Sequence, residues 1–195
     1  FGVLSSDETK IALTGKTFDS YANLDYKPGY FAIGIFDLNK GNKLGLLPVK
    51  YNAYIKSFFL PDNRLVYSPD RGGIAVSNND YNSNTIIYKN NINAFALSPD
   101  GKTIAFSEGV FFYTIDIDGN NKQQIVCNGE PASVDKAENV TDMCWSPDGK
   151  YIGLSFKSIG KFKIVLMPVD GSNYRIIRDA DGEDVAQSNP AISWH

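Results

Sequence analysis

Histidine and cysteine, which carry much of the nucleophilic and proton-transfer chemistry of proteins, are scarce in this sequence of 195 residues. The one histidine is His195, so the sequence offers no Ser-His pair, no histidine metal cluster and no histidine proton shuttle within itself. Cys127 and Cys144 lack the C-x-x-C spacing of metal and redox sites. We expect two small buried apolar residues there, or a single structural disulfide. The sequence therefore predicts a protein without catalytic activity of its own.

Carboxylates are numerous, and one group of them has a spacing that could hold a cation. Asp179, Asp181 and Asp184 offer closely spaced oxygen atoms, which are the ligands that Ca²⁺ prefers. The full EF-hand loop with its distal glutamate is absent, so an ordinary surface loop is the alternative interpretation and the one we favour. We expect no cofactor, with Ca²⁺ as the one candidate ion.

Tyrosines in two polar segments are candidates for a binding surface. Tyr21, Tyr26 and Tyr30 lie in or next to a stretch rich in Asn, Asp and Ser, and Tyr81 lies in a second such stretch. Tyrosine gives rigid amphipathic contacts while Asn and Ser give adaptable hydrogen bonds, a mixture that is typical of binding loops. The alternative is a pair of packed loops whose tyrosines cover the edges of neighbouring strands.

A repeat indicates the elements that would position these residues. Residues 97–106 align without a gap to residues 145–154, and both contain Ser-Pro-Asp-Gly-Lys. Residues 4–13 align to the same pattern but have lost Pro and Gly, and residues 59–67 form a copy that is one residue shorter. Self-similarity at intervals of about 40 to 50 residues is typical of propellers and solenoids.

The repeated motif has the chemistry of a tight turn between two strands. Ser, Pro and Gly at its first, second and fourth positions are the preferences of a type I turn. Apolar residues flank the turn without clean alternation, which indicates strands that are buried on both faces. A longer strand, a second turn and a short strand follow, so each repeat has the four strands of a propeller blade.

These patterns predict an all-β fold of about four β-propeller blades, each of four antiparallel strands, with very little helix. The predicted blades are approximately residues 1–48, 49–90, 91–139 and 140–188, within a single domain. Residues 189–195 repeat the opening of the fourth blade, so they either begin a further strand or supply a closing strand. Of a four-bladed ring and a segment of a larger propeller, we favour the segment.

The motif resembles the blade of the TolB-like β-propellers, the Pro-Asp relatives of the WD repeat. Their pattern runs apolar-Ser-Pro-Asp-Gly-Lys-x-Ile-Ala-Phe, and a later strand ends in Asp-x-Asp-Gly, as residues 116–119 do here. Blades of this kind occur in periplasmic and cell-surface proteins, in gating domains of prolyl oligopeptidase-type peptidases and in solute-binding modules. The resemblance implies the fold and a periplasmic, cell-surface or secreted location.

Charge and hydropathy narrow the range of partners. The net charge of −3 lacks the basic field that neutralises phosphates, so we expect no nucleic-acid partner. No apolar run approaches the roughly 18 residues of a membrane-spanning helix, so we do not expect the chain to cross a membrane. We expect a non-enzymatic module that binds a protein or peptide through its inter-strand loops. The alternatives are an accessory or gating domain of a larger hydrolase, and a carbohydrate-binding propeller.

Overall fold

The computed structural model describes residues 2–16, 31–49, 56–69, 72–127, 129–132, 139–158 and 161–180. In these ranges the chain forms β-strands and turns, and no helix. The strands make four antiparallel sheets of four strands each, with a separate two-stranded hairpin. The prediction of an all-β fold built from four-stranded antiparallel blades is therefore confirmed.

The first two sheets lie in the amino-terminal half of the chain. Blade 1 consists of β1 (Gly2–Leu4), β2 (Lys10–Lys16), β3 (Phe31–Asp37) and β4 (Lys43–Val49). Blade 2 consists of β5 (Ser57–Phe59), β6 (Leu65–Tyr67), β7 (Ile74–Ser77) and β8 (Asn84–Tyr88). Each strand pairs with the next one along the chain, so both sheets are simple meanders.

The other two sheets follow the same order and enclose the hairpin in sequence. Blade 3 consists of β9 (Phe95–Leu97), β10 (Thr103–Glu108), β11 (Phe111–Asp116) and β12 (Gln123–Gln124). The hairpin pairs β13 (Val126–Cys127) with β14 (Glu130–Pro131). Blade 4 consists of β15 (Asn139–Trp145), β16 (Tyr151–Ser158), β17 (Lys161–Pro168) and β18 (Arg175–Ala180).

The chain divides into two compact units, Phe1–Asn90 with blades 1 and 2, and Asn91–His195 with blades 3 and 4. The single domain and the blade bounds given above stay predictions. In the first unit, Ile33 and Ile35 of blade 1 share one apolar core with Leu65 and Tyr67 of blade 2, and all four side chains are fully buried. Burial of apolar area between neighbouring sheets is what holds two blades together.

The predicted turn follows β9 and β15 with the same hydrogen bonds in both places. In blade 3 the Gly101 amide donates to the Ser98 carbonyl at 2.9 Å, and the Ser98 amide donates to the Thr103 carbonyl at 2.8 Å. Ser98 Oγ donates to Asp100 Oδ1 at 2.6 Å and accepts from the Thr103 amide at 2.9 Å. One hydroxyl thus joins both sides of the turn, and the aspartate holds that hydroxyl in place.

The fourth turn position has a left-handed backbone in all four blades, whether or not it is glycine. Gly101 and Gly149 have φ of +71° and +70°, while Glu8 and Asn63 at the equivalent positions have +55° and +67°. Asparagine tolerates the left-handed region better than most residues, whereas glutamate has no such preference and its backbone is strained there. The repeat therefore retains its turn geometry after losing the residue that adopts it most easily.

Alanine substitutions at two adjacent serines in blade 1 test the role of the turn hydroxyl. Ser5 is buried and its Oγ bonds Asp7 and the Lys10 amide, whereas Ser6 is exposed. We expect Ser5→Ala to lower the free energy of unfolding by about 1 to 2 kcal/mol, because the half-buried amide of Lys10 loses its acceptor. Ser6→Ala should change it by less than about 0.5 kcal/mol. Urea denaturation followed by circular dichroism measures both, and equal effects would contradict the assignment.

Candidate functional site

The two ends of each blade differ in how the strands are connected. In a four-stranded meander, the connection between the first and second strands and the connection between the third and fourth strands lie at the same end of the sheet. We call this end the turn end. The connection between the second and third strands lies at the opposite end, which we call the insertion end. At the turn end of blade 3 the Ile117 amide donates to the Lys102 carbonyl at 2.9 Å, and in blade 4 the Val169 amide donates to the Lys150 carbonyl at 3.0 Å. The turn end is therefore closed by backbone hydrogen bonds between its two turns.

Tyr81, one of the four tyrosines predicted to bind a partner, is packed inside the first unit. It lies in the turn between β7 and β8, is only 2% exposed and has a left-handed φ of +53°. Its hydroxyl donates to the Asn63 carbonyl at 2.5 Å. Burial, with the negative charges of Asp7 and Asp62 nearby, raises the pKa of Tyr81 to about 12. This geometry favours the alternative interpretation, a packed loop whose tyrosine covers a neighbouring blade.

Tyr21, Tyr26 and Tyr30 lie outside the described residues, so their binding role stays a prediction. In the sequence they fall between Lys16, the last residue of β2, and Phe31, the first residue of β3. Tyr81 belongs to the turn between β7 and β8, at the turn end of blade 2. Of the four tyrosines, Tyr81 is the one within the described residues.

Asp7 joins the turn ends of blades 1 and 2. Its Oδ1 accepts from Ser5 Oγ at 2.6 Å and from the Thr9 amide at 3.0 Å, and its Oδ2 accepts from Asn63 Nδ2 at 2.8 Å. These hydrogen bonds, led by the one from Ser5, hold the pKa of Asp7 well below its usual range. The backbone carbonyl of Asn63 also accepts from the Tyr81 hydroxyl, so Asn63 connects Asp7 of blade 1 to Tyr81 of blade 2. We call these three residues the Asp7–Asn63–Tyr81 latch.

The other turn aspartates are also hydrogen-bond acceptors. The serine hydroxyl two residues earlier is the main cause that lowers the pKa of Asp100 and of Asp148. The backbone amides of Asn120 and Ser172 lower the pKa of Asp118 and Asp170 respectively. A general acid needs a carboxyl whose pKa is raised, so these four groups are suited to holding turns and not to transferring protons.

The predicted cation ligands are only partly within the described residues. Asp179 lies in β18, opposite Lys163 of β17, while Asp181 and Asp184 lie outside the described part of the chain. Among the described residues, no three His, Cys, Asp or Glu side chains come close enough together to hold a metal ion. Cys127 and Cys144 form no disulfide, and burial raises the pKa of the Cys127 thiol.

Blade 3 contains a cluster of aromatic and charged side chains that the sequence does not predict. Lys122 Nζ lies 4.0 Å from the centroid of the Tyr113 ring and 3.0 Å from Glu108 Oε2. The Tyr113 ring stacks on Phe106 with centroids 5.5 Å apart. Both aromatic residues lie in apolar strand sequences and are ordinary core residues by that pattern. Lys122 lies beyond the turn that follows β11, so the sequence gives no sign of its contact with Tyr113. The cation contacts both a ring and a carboxylate, so the cluster joins β10 and β11 to the turn that precedes β12.

No helix in the described ranges has the length and apolar content needed to span a membrane.

The latch predicts a specific pH dependence of stability. The folded pKa of Asp7 lies below its unfolded value of about 3.9, so ionised Asp7 stabilises the folded chain above that pH, and this contribution is lost as the pH falls below it. Asp7→Asn should lower stability at neutral pH, because a neutral amide with one acceptor oxygen replaces a carboxylate that accepts hydrogen bonds on both oxygens. The difference from the wild type should shrink below about pH 4. Urea midpoints across the pH range measure this, with the exposed neighbour Glu8→Gln as control. A constant difference at all pH values would refute the role of Asp7.

A pair of glycines tests the packing of Tyr81. A Cβ on Gly45 of β4 would lie 2.7 Å from the Tyr81 carbonyl oxygen and would overlap the Tyr81 Cβ, whereas a Cβ on Gly15 of β2 would meet nothing within 4 Å. Gly45→Ala should therefore lower the free energy of unfolding by at least about 1 to 3 kcal/mol. Gly15→Ala should be neutral or stabilising by up to about 1 kcal/mol. Thermal denaturation of the two variants distinguishes these outcomes, and equal effects would contradict the contact.

Comparison with known proteins identifies the fold. No protein-family model and no curated protein matches the sequence. Among solved structures, the chain is similar to a TolB from Agrobacterium tumefaciens, at 18% identity and a TM-score of 0.64, covering 91% of this chain and 64% of that one. It is also similar to TolB from Acinetobacter baumannii, at 17% identity and a TM-score of 0.62, covering 91% and 43% respectively.

A third similar structure comes from a peptidase. Dipeptidyl peptidase 4 of Porphyromonas gingivalis matches at 10% identity and a TM-score of 0.53, over 90% of this chain and 32% of that one. The chain thus spans less than two thirds of the length of each of these proteins. The four-stranded sheets, their Ser-Asp turns and the likeness to both TolB structures show that the chain has a TolB-like β-propeller fold.

Proposed function

We propose that this chain is a binding module without catalytic activity of its own, and that its partner is a protein or peptide. The partner is held by loops at the insertion end, chiefly by the connection between β2 and β3 that carries Tyr21, Tyr26 and Tyr30. A periplasmic, cell-surface or secreted setting belongs to the same proposal, and rests on the resemblance to TolB-like proteins.

The contrast between the two ends of blade 1 carries the proposal. At the turn end, β1 joins β2 through five residues and β3 joins β4 through five, and Ser5 and Asp7 hold the first of these turns in place. At the insertion end, residues 17–30 intervene between β2 and β3. Rigid scaffolds commonly bind through their long connections, and the Tyr, Asn and Ser content of this one suits the recognition of protein surfaces.

The chemistry of the described residues supports a role without catalysis. The turn aspartates whose pKa values are displaced are all displaced downwards, so they remain ionised acceptors near neutral pH. No group of three potential metal ligands occurs in the described ranges. Acid catalysis uses a carboxyl whose pKa is raised, so these turn aspartates are not suited to it.

A second candidate is a propeller domain that serves an attached hydrolase. The likeness to a dipeptidyl peptidase, of which this chain covers 32%, favours it. In that case the same insertion end would meet a catalytic domain of the same polypeptide. The surface used is shared with the first proposal, and the difference lies in whether the partner is covalently joined.

Peptide selection tests the binding role directly. A displayed library of random peptides is selected against the immobilised chain, and the most enriched peptide is labelled and titrated by fluorescence anisotropy. The triple variant Tyr21→Ser, Tyr26→Ser, Tyr30→Ser should bind it at least ~10-fold more weakly, because buried tyrosines often contribute more than 1 kcal/mol each to an interface.

Leu38→Ser provides the matched control at the turn end of the same blade, where Leu38 is exposed. It should leave the affinity of the selected peptide unchanged. Failure of any peptide to enrich, or equal binding by the triple variant, would argue against the proposed surface. Hydrolysis of the peptide by the purified chain would refute the absence of catalytic activity.

A further inference from the structure

The fourth strand of each blade lies at one edge of its four-stranded sheet. An edge strand presents backbone amides and carbonyls to which another chain can add, so proteins commonly protect such strands with charged residues, proline or short length. In three blades the fourth strand is protected in one of these ways. β4 contains Lys43 and Pro48, β12 is two residues long, and β18 contains Arg175 and Arg178.

The fourth strand of blade 2 has none of these protections. β8 is five residues long and contains neither a charged residue nor a proline. Asn84, Thr85 and Ile86 are all exposed, and Ile86 is 41% exposed although it is apolar. Threonine and isoleucine are β-branched and favour strand conformation. The composition of β8 is therefore that of a strand which another strand can join.

The register of β8 shows which of its backbone groups point to the edge. The Asn78 amide donates to the Ser83 carbonyl at 2.9 Å, so these two residues form a hydrogen-bonded pair next to the turn. Bonded and non-bonded pairs alternate along an antiparallel ladder, so Asn84 and Ile86 are in non-bonded pairs with β7. Their amides and carbonyls point away from β7. A register shift directly after Ile86 ends this regular part of the edge.

Side-chain hydrogen bonds hold the start of β8 in place. Asn78 Oδ1 accepts from the amides of Asn82 and Ser83 at 3.1 and 3.2 Å, which fixes the turn that leads into the strand. Asn84 Nδ2 donates to the Tyr67 hydroxyl at 2.6 Å, and Tyr67 is fully buried in the core of the first unit. An edge that is ordered in advance loses little conformational entropy on binding.

We propose that β8 binds an extended segment of a partner protein, which adds to blade 2 as a fifth strand. The amides and carbonyls of Asn84 and Ile86 supply the hydrogen bonds, which give most of the affinity in this mode of recognition. The segment carries an apolar side chain beside Ile86, and its neighbouring side chains are uncharged because β8 offers no opposite charge. β8 is a different element from the connection between β2 and β3, so this inference and the proposed function can fail independently.

Peptide selection with an edge-blocked variant tests this proposal. Ile86→Pro removes an amide that points to the edge and leaves the hydrogen bonds to β7 in place, and edge strands tolerate proline at such positions. A displayed library of short uncharged peptides is depleted on immobilised Ile86→Pro and then selected on the wild-type chain. The most enriched peptide, titrated by fluorescence anisotropy, should bind Ile86→Pro at least ~10-fold more weakly, because its own carbonyl loses a donor.

Amide hydrogen exchange, measured by NMR, locates the bound peptide. The peptide should slow exchange at the amides of Asn84 and Ile86, whereas the Thr85 amide, which points to β7, should change little. This alternation is the signature of an added strand, and a peptide that merely covered exposed side chains would not produce it.

Ile86→Val is the matched control, because it keeps both the amide and a β-branched side chain. It should bind the peptide as the wild type does, and circular dichroism should show an unchanged strand signal in all variants. If Ile86→Pro does not fold, Ile86→Lys replaces it, with the kind of charge that protects β4.

Three outcomes would overturn the proposal. The first is that no peptide is enriched, and the second is that the peptide binds without slowing exchange at Asn84 and Ile86. The third is a wild type that dimerises in sedimentation velocity while Ile86→Pro stays monomeric, since β8 would then bind a second copy of this chain.

Discussion

Each blade depends on how its first turn satisfies the backbone between two strands. A reversal of direction within a few residues leaves amides that cannot reach a partner strand, and leaving them unbonded costs more than most single contacts return. The turn serine accepts from one such amide and is itself held by the aspartate two residues later, in blades 1, 3 and 4 alike. In blade 2, where Leu60 replaces the serine, the turn is one residue shorter, and Asp62 still accepts from the Arg64 amide. Each turn is therefore held mainly by hydrogen bonds within its own blade.

Neighbouring blades make apolar contacts, which are not specific to one pair of blades, and polar contacts, which are. Apolar faces supply most of the buried area, and their alternating strand positions make any blade roughly compatible with any other. Polar contacts at the turn ends are particular to one pair of neighbours, as the hydrogen bond from Asn63 to Asp7 shows. In the second unit, the indole of Trp145 bonded to the Ala96 carbonyl has the same character. The apolar faces thus supply the stability of blade packing, and they would suit many pairs of blades. A few hydrogen bonds between particular residues determine which two blades are neighbours.

The sequence predicts the parts of this structure whose causes are local. Residues 98–101 carry a turn because Ser, Pro, Asp and Gly each have a backbone or hydrogen-bonding preference that acts within the turn itself. The burial of Tyr81 could not be predicted in this way, since it depends on Gly45, a residue of another blade, having no side chain. The same holds for Lys122, which reaches the Tyr113 ring from beyond a turn.

The fit of Tyr81 against Gly45 has a consequence for how a repeat protein of this kind can change over generations. Duplication and shuffling of blades are favoured when every copy offers the same surfaces, so that a gene segment can be inserted at any position. Blades 1 and 2 have lost that freedom, because the glycine of one and the tyrosine of the other are useful only side by side and in this order. A segment encoding one of them, moved elsewhere, would bring a bulky ring to a neighbour without space for it. The two positions should therefore be inherited as a single character, and substitutions at one should be accompanied by substitutions at the other.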